Sequence, residues 1–206
     1  MTLLQLLKTG GFTMYILISC SVLSLAIIIE RYIYYRVRSR IKREEFMALV
    51  AGELKKGKTK SAVELCDKTN TPFAKVAQTG LHFYGHSETV TSNAMEREIT
   101  IQTVLLERFT SIVGTIGSTA VYIGLFGTVL GIIRAFEDIS KSGSGGINIV
   151  ITGISEALVC TAAGLSVAVP AVIAYNYFVK KVDDFITDME LCASETLDLI
   201  STAKKQ

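Results

Sequence analysis

The chain has 206 residues, half of them hydrophobic, with a formal net charge of +2 and a positive mean hydropathy. Charged residues make up 19%, below the roughly 25% of ordinary soluble domains, and they are clustered, so long stretches carry no charge at all. That distribution argues against a soluble globular chain, whereas a net charge this near zero excludes little.

The first element is an uncharged run from Phe12 to Ile29, closed by Glu30-Arg31. A bilayer core about 30 Å thick needs about 20 mostly apolar helical residues to cross it. A span over 12–30 is therefore predicted, preceded by a short outer segment, 1–11. A cleaved signal peptide wants a basic start, a short apolar core and a small-residue cleavage site. Here Lys8 is the only early charge, and the basic cluster follows the apolar run. Leu17-Ile18-Ser19-Cys20 loosely resembles a lipoprotein cleavage box, but apolar sequence continues well past Cys20, as a span requires. The run is rich in Ile and Leu and is expected to face lipid.

Residues 31–109 read as helical. Gly57 is a helix stop, and Ser61-Ala62-Val63-Glu64 matches a capping box, which predicts a new start at Ser61. Thr71-Pro72 predicts another, with proline at the first helical position. Tyr84-Gly85 to Ser87 marks a further break. From about Thr89 a helix is expected to run without breakers into the second span. Met95, Ile99, Ile101, Val104 and Leu105 form an apolar stripe along it at near-helical spacing, suited to packing either within the subunit or between subunits. His82 and His86 are spaced i, i+4, but no third ligand lies nearby, so a solvated helix face is the simpler reading.

The second span is predicted over 110–133 and the third over 148–179, separated by a short connection, 134–147. At about 1.5 Å per residue the second is roughly 36 Å long, enough to cross with some tilt. Beyond Lys181 the third is expected to continue as a helical tail, 180–206. There Val182, Phe185, Ile186, Met189, Ala193 and Leu197 recur at three and four among Asp183, Asp184, Asp188 and Glu190. The whole is an all-α membrane protein with three spanning helices, the second and third extending into a helical cytoplasmic region.

Lysine and arginine counts set the orientation. One precedes the first span, fourteen fall between Arg31 and Arg108, two between Arg134 and Gly146, and four after Val179. The N-terminus and short connection are thus expected outside, and the middle region and C-terminus in the cytoplasm. Arg36, Arg38, Arg40, Lys42 and Arg43 stand directly beside the first span, where they can also meet anionic lipid headgroups.

On a helix at 100° per residue, Gly114, Gly117, Ala120, Gly124, Gly127, Thr128 and Gly131 of the second span share one broad face. Gly153, Ala157, Cys160, Gly164, Ala168 and Ala171 form a matching face on the third. In lipid, helix association relies on close backbone approach, which small residues permit. These faces are expected to pack, and Pro170 is expected to kink the third span or free a carbonyl. None of Cys20, Cys66, Cys160 and Cys192 forms a CxxC pair, so all four are expected as thiols.

Glu156 is the one acid or base well inside a membrane run, about 12 Å from the outer start of its helix. An ionisable group at that depth costs on the order of 2.5–3.5 kcal/mol on insertion scales and marks a functional candidate. The alternative is a structural ion pair or hydrogen bond, with Arg134 as the candidate partner. Thr128 and Thr161 lie near the middle of their spans. Hydroxyls there either bond back to their own turn or hold water and a carboxylate. A complete proton relay chains several ionisable groups, so a second protein is expected to bring the missing acid. No nucleophile–base pair, P-loop or metal-ligand cluster is present, so neither an enzyme nor a bound cofactor is expected.

Three stretches resemble the ExbB/TolQ/MotA proton-channel family. They are Gly11 through Arg31; Gly124-Leu125-Phe126-Gly127-Thr128-Val129-Leu130-Gly131; and Ile154-Ser155-Glu156-Ala157-Leu158-Val159-Cys160-Thr161-Ala162-Ala163-Gly164-Leu165, followed by Ala168-Val169-Pro170-Ala171 and Tyr175-Asn176. Three spans resemble ExbB or TolQ more than the four-span MotA. The resemblance implies a homo-oligomer, usually a pentamer, around a pair of single-span ExbD- or TolR-like helices in a bacterial inner membrane. It implies that a partner aspartate exchanges the proton, that Thr128 and Thr161 line the cavity beside it, and that Glu156 tunes or shares the path. The work would reach a TonB-like protein for outer-membrane uptake, or a TolA-like protein of the Tol-Pal system. A passive membrane scaffold is the remaining alternative, and no nucleic-acid partner is expected.

Overall fold

The computed structural model describes residues 11–142 and 146–203. The expected outer segment before Gly11, residues 143–145 of the short connection and the last three residues lie outside the described residues. Within them the chain is all helix: α1 (Gly11–Arg38), α2 (Arg43–Lys55), α3 (Thr59–Lys68), α4 (Pro72–His82), α5 (Glu88–Glu107), α6 (Thr110–Ser142) and α7 (Gly146–Ala203). Three helical stretches, on α1, α6 and α7, are long and apolar enough to cross a membrane. The chain divides into two compact units, one of Met1–Glu30 with Phe109–Tyr177 and one of Arg31–Arg108 with Phe178–Gln206.

In the first unit, α1 buries Thr13, Met14, Leu17, Ser24 and Ile27, a stripe at helical spacing. Leu17 packs with Ala120 and Ala168, and Ile27 with Val113, Ile116 and Ala171. The opposite face of α1 exposes Phe12, Tyr15, Val22, Leu25 and Ile29. Apolar side chains standing outward on a spanning helix suit lipid.

The second unit is a helical bundle. Phe46, Val50, Cys66, Phe73, Val76, Met95 and Leu106 fill its interior together with Phe178, Phe185, Met189 and Cys192 from the end of α7. The tail of α7 thus continues as the expected amphipathic helix, with Cys192, Thr196 and Ile200 added to its buried face. Arg43 at the start of α2 pairs with Glu195, and its Nε lies 3.6 Å from Asp188. Met95 of the α5 stripe is buried in this unit, whereas Ile101, Val104 and Leu105 stand exposed.

The helix ends follow local chemistry in most places. Gly57, at φ +72°, closes α2. Its N–H donates to the Leu54 carbonyl and the Lys58 N–H to Glu53, the paired bonds of a Schellman turn. That turn delivers the chain straight into α3, since the Lys58 carbonyl already accepts the Ala62 N–H at 3.2 Å. The capping-box reading is therefore corrected: α3 begins at Thr59, and Ser61 lies inside its first turn. Pro72 does open α4. Ser87 caps α5, accepting the Val90 N–H at 3.4 Å.

A second correction concerns the helix expected to run unbroken from Thr89 into the second span. It stops at Glu107 and restarts at Thr110, with Phe109 at φ +67°. A left-handed non-glycine residue is unfavourable by roughly 1–2 kcal/mol. What offsets this is the capping of the last turn of α5. Tyr35 donates to the Leu106 carbonyl at 2.8 Å and Arg31 to the Leu105 carbonyl at 3.3 Å. Those are the carbonyls that Thr110 and Phe109 would serve in a continuous helix.

Cys66 and Cys192 are both fully buried, and burial pushes each thiol up to about 12. The thiolate is the nucleophile, so at pH 8 only about one molecule in ten thousand presents it. Native protein is expected to leave both residues unalkylated by iodoacetamide while detergent-denatured protein labels both, as read by peptide mass spectrometry.

Candidate functional site

The site is built on the seam between α6 and α7. A Cβ added at Gly114 would lie 2.9 Å from the Tyr175 ring, one at Gly117 2.8 Å from Val172, and one at Gly131 2.7 Å from the Ala157 Cβ. One at Gly153 would lie 2.5 Å from the Ala135 Cβ. Partner numbers fall as α6 numbers rise, which is the register of an antiparallel pair. From Gly114 to Ala135 the seam is about 32 Å long at 1.5 Å per residue, close to the thickness of a bilayer core.

Backbone approaches backbone most closely in the middle. A Cβ at Gly124 would stand 2.8 Å from the Cys160 carbonyl oxygen and 3.2 Å from the Thr161 Cα; one at Gly164 would stand 2.7 Å from the Ala120 carbonyl oxygen. Gly127 faces both Cys160 and the Thr13 hydroxyl of α1. These backbones meet because neither helix carries a side chain there, and water supplies no alternative partner in lipid.

That approach brings Thr128 and Thr161 together. Their hydroxyls are hydrogen-bonded to each other. Thr128 Oγ1 also reaches the Gly124 carbonyl at 3.2 Å and the Ala157 carbonyl at 3.3 Å, and Thr161 Oγ1 reaches the Gly124 carbonyl at 3.4 Å. Each hydroxyl has one proton to donate and two lone pairs to accept. With two carbonyl acceptors, one of them within reach of both hydroxyls, the pair has two satisfied arrangements, in which one threonine or the other donates across the seam. Turning both hydroxyls reverses the direction of the chain without charging either residue. Both side chains are half-buried at the edge of the packed faces.

Glu156 is not part of that pair. It is half-buried and has neither a hydrogen bond nor an ion pair with another described residue; Arg134 does not reach it. At 100° per residue it lies about 140° around α7 from Thr161. It shares a flank with Ala163 and Val167, which pack against the cluster that holds Leu17 of α1. Pro170 is exposed inside α7 and has no N–H to give the Ser166 carbonyl. Thr13 is a site contact that sequence reading missed. Its buried hydroxyl lies 3.9 Å from Cys160 Sγ, and a single hydroxyl at the start of a span carries no signal of its own.

A sequence model described as the MotA/TolQ/ExbB proton channel family matches residues 68–191. The chain is 36% identical over 148 residues to the biopolymer transport protein ExbB of Neisseria gonorrhoeae, an alignment covering 65% of the chain and 67% of that protein. With the protein of the same name from Salmonella typhimurium it shares 29% identity over 204 residues, 92% of the chain and 84% of the relative. With that from Pseudomonas putida it shares 41% over 92 residues, 45% of the chain and only 28% of the relative.

Proposed function

Because the chain belongs to the MotA/TolQ/ExbB proton channel family, a family of channels and not of enzymes, we propose that it is the ExbB-type subunit of an inner-membrane complex that uses proton motive force to energise outer-membrane transport. The hydroxyl pair of Thr128 and Thr161 carries the reading, because it sets a reversible hydrogen-bond chain across a membrane seam. The relatives named for biopolymer transport favour the TonB-linked role over the Tol-Pal one.

In this reading the N-terminus is periplasmic, the second unit cytoplasmic, and several copies, five in the family's usual arrangement, surround a pair of single-span ExbD-like helices. An aspartate on those helices takes the proton next to Thr128 and Thr161. Glu156, toward the Gly146 end of α7, is a separate station on the same route. Moving one charge through 100 mV supplies about 2.3 kcal/mol per proton, which a TonB-like protein would deliver to its load.

The test is proton uptake into liposomes holding the protein and its single-span partner, followed with an internal pH dye under an imposed potential. Glu156→Gln is expected to lower the flux at least about tenfold, as removal of a relay acid should, with the complex still eluting intact. A passive scaffold predicts unchanged flux in Glu156→Gln and in Thr128→Ala; that result would overturn the proposal.

A further inference from the structure

Two outward helix faces in the second unit carry opposite charge. On α5, Val90, Arg97, Ile101 and Val104 fall within about 60° of one another at 100° per residue. They lie on the side away from the buried Met95 and Leu106, and all four are exposed, Ile101 at 53% and Val104 at 64%. Arg97 is the one cation within Glu88–Glu107, and it pairs with no carboxylate among the described residues.

The second face is on α7. After Lys181 that helix carries six acids and no cation. Arg43 takes Asp188 and Glu195, and Lys181 takes Asp184. Asp183, Glu190 and Asp198 pair with no cation among the described residues. These three fall within about 80° of one another, together with exposed Thr187 and Ser194, and Leu191 stands exposed at the edge. At 1.5 Å per residue the face is roughly 22 Å long. Charges this dense keep both stretches out of the bilayer core.

The two faces stand at one height. A Cβ added at Gly80 would lie 2.6 Å from Met95 Sδ and 2.8 Å from Thr196 Cγ2, so Met95 and Thr196 are level. At the other end Tyr35 donates to the Leu106 carbonyl and meets Phe178 edge-on, with 5.5 Å between ring centroids. In this unit α5 and α7 therefore run antiparallel. That puts Arg97 level with the interval between Glu190 and Asp198, and Ile101 and Val104 level with the stretch from Asp183 to Leu191. Copies in one bilayer share the membrane normal. Head-to-tail contact between them joins patches at equal height on different sides of the molecule. A self-facing contact would set Arg97 against Arg97, or carboxylate against carboxylate, which repel. A head-to-tail contact sets opposite charges together and covers Ile101 and Val104.

We propose that the α5 face of one copy docks on the α7 face of the next. Arg97 enters between Glu190 and Asp198 of the next copy, and Ile101 and Val104 lie against its Leu191 and Thr187. The apolar contacts supply adhesion, and the charges fix orientation and register. Repeated head to tail, the contact closes a ring. The proposal rests on the several-copy reading and adds which faces meet.

The test is disulfide cross-linking of the full chain in membranes, with its single-span partner present. Cys20→Ser leaves three thiols, all buried. Ile101→Cys with Thr187→Cys then places one thiol on each face and leaves the charges intact. Copper phenanthroline in air is expected to give a ladder of covalent dimers, trimers and larger species, because each copy offers both halves of the contact. Either cysteine alone is expected to give less than about a tenth of that product. Arg97→Glu should lower the ladder at least about tenfold, as a like-charge contact does, and adding Glu190→Arg and Asp198→Arg should restore it to within about twofold. Elution volume sizes the same preparations. An intact oligomer without a ladder would mean that copies meet through other faces, so the proposal falls and the several-copy reading stands. Dimers from a single cysteine, a ladder unchanged by Arg97→Glu, or a loss that the reversed acids do not rescue would also overturn it. A monomer would overturn the proposal and the several-copy reading together.

Discussion

Gly124→Ala is expected to lower the stability of the α6–α7 pair by about 3 kcal/mol, the upper part of the range for overpacking, and to scatter the assembled complex on size exclusion. The atoms in the way are backbone: the Cys160 carbonyl oxygen at 2.8 Å, the Gly164 Cα at 3.1 Å and the Thr161 Cα at 3.2 Å. A flexible side-chain tip can swing aside, but backbone moves only with its helix. Gly114→Ala should cost less, because its obstacle is the Tyr175 ring, which can rotate. Gly52, inside α2, is an internal control. A Cβ there meets nothing within 4 Å, so Gly52→Ala should raise stability by about 0.5–1 kcal/mol through helix propensity alone. Melting curves of purified protein separate the three. A Gly124→Ala protein that melts with the parent would mean that the helices are not this close.

The second large effect concerns the two hydroxyls. Thr128→Val and Thr161→Val are each expected to lower proton flux at least about tenfold, and the double variant to be little worse than either single. That non-additivity would amount to about 1.4 kcal/mol or more of coupling, as expected for groups in one hydrogen-bond chain. Stability should hardly change. After either substitution the remaining hydroxyl still reaches the Gly124 carbonyl, so no buried donor is stranded and the difference stays near 1 kcal/mol. Thr128→Ser, which keeps the hydroxyl, should restore most of the flux. Strict additivity of the two valines would sink the idea that they act as one element.

Much of this was legible in the order of residues. Span lengths come from uncharged runs, and the turn at Gly57, the start at Pro72 and the break around Gly85 come from residues that act on their own backbone. The glycine positions on α6 and α7 could be read because period and residue size are local properties. What could not be read was set at long range. The break before Thr110 contains neither proline nor glycine; its donors, Tyr35 and Arg31, lie more than seventy positions upstream. The start of α3 moved because a turn earlier in the chain dictated where the next helix could begin. For the site, periodicity placed Thr128 and Thr161 near facing positions, but it was silent on whether their hydroxyls would meet or bond back to their own turns. In fact Thr128 does both. It also left open whether Glu156 would find a cation. Arg134 was the candidate partner, yet the two side chains do not meet.

The antiparallel register of α6 and α7 has a mechanical corollary. Seven glycines sit where even a methyl group would collide, so the two helices fit like a key in its slot. A slide of less than a full helical turn, about 5.4 Å, would drive backbone into backbone. The pair therefore behaves as one stiff stave. Any movement of these helices must take place along the outer faces of the pair and not within it.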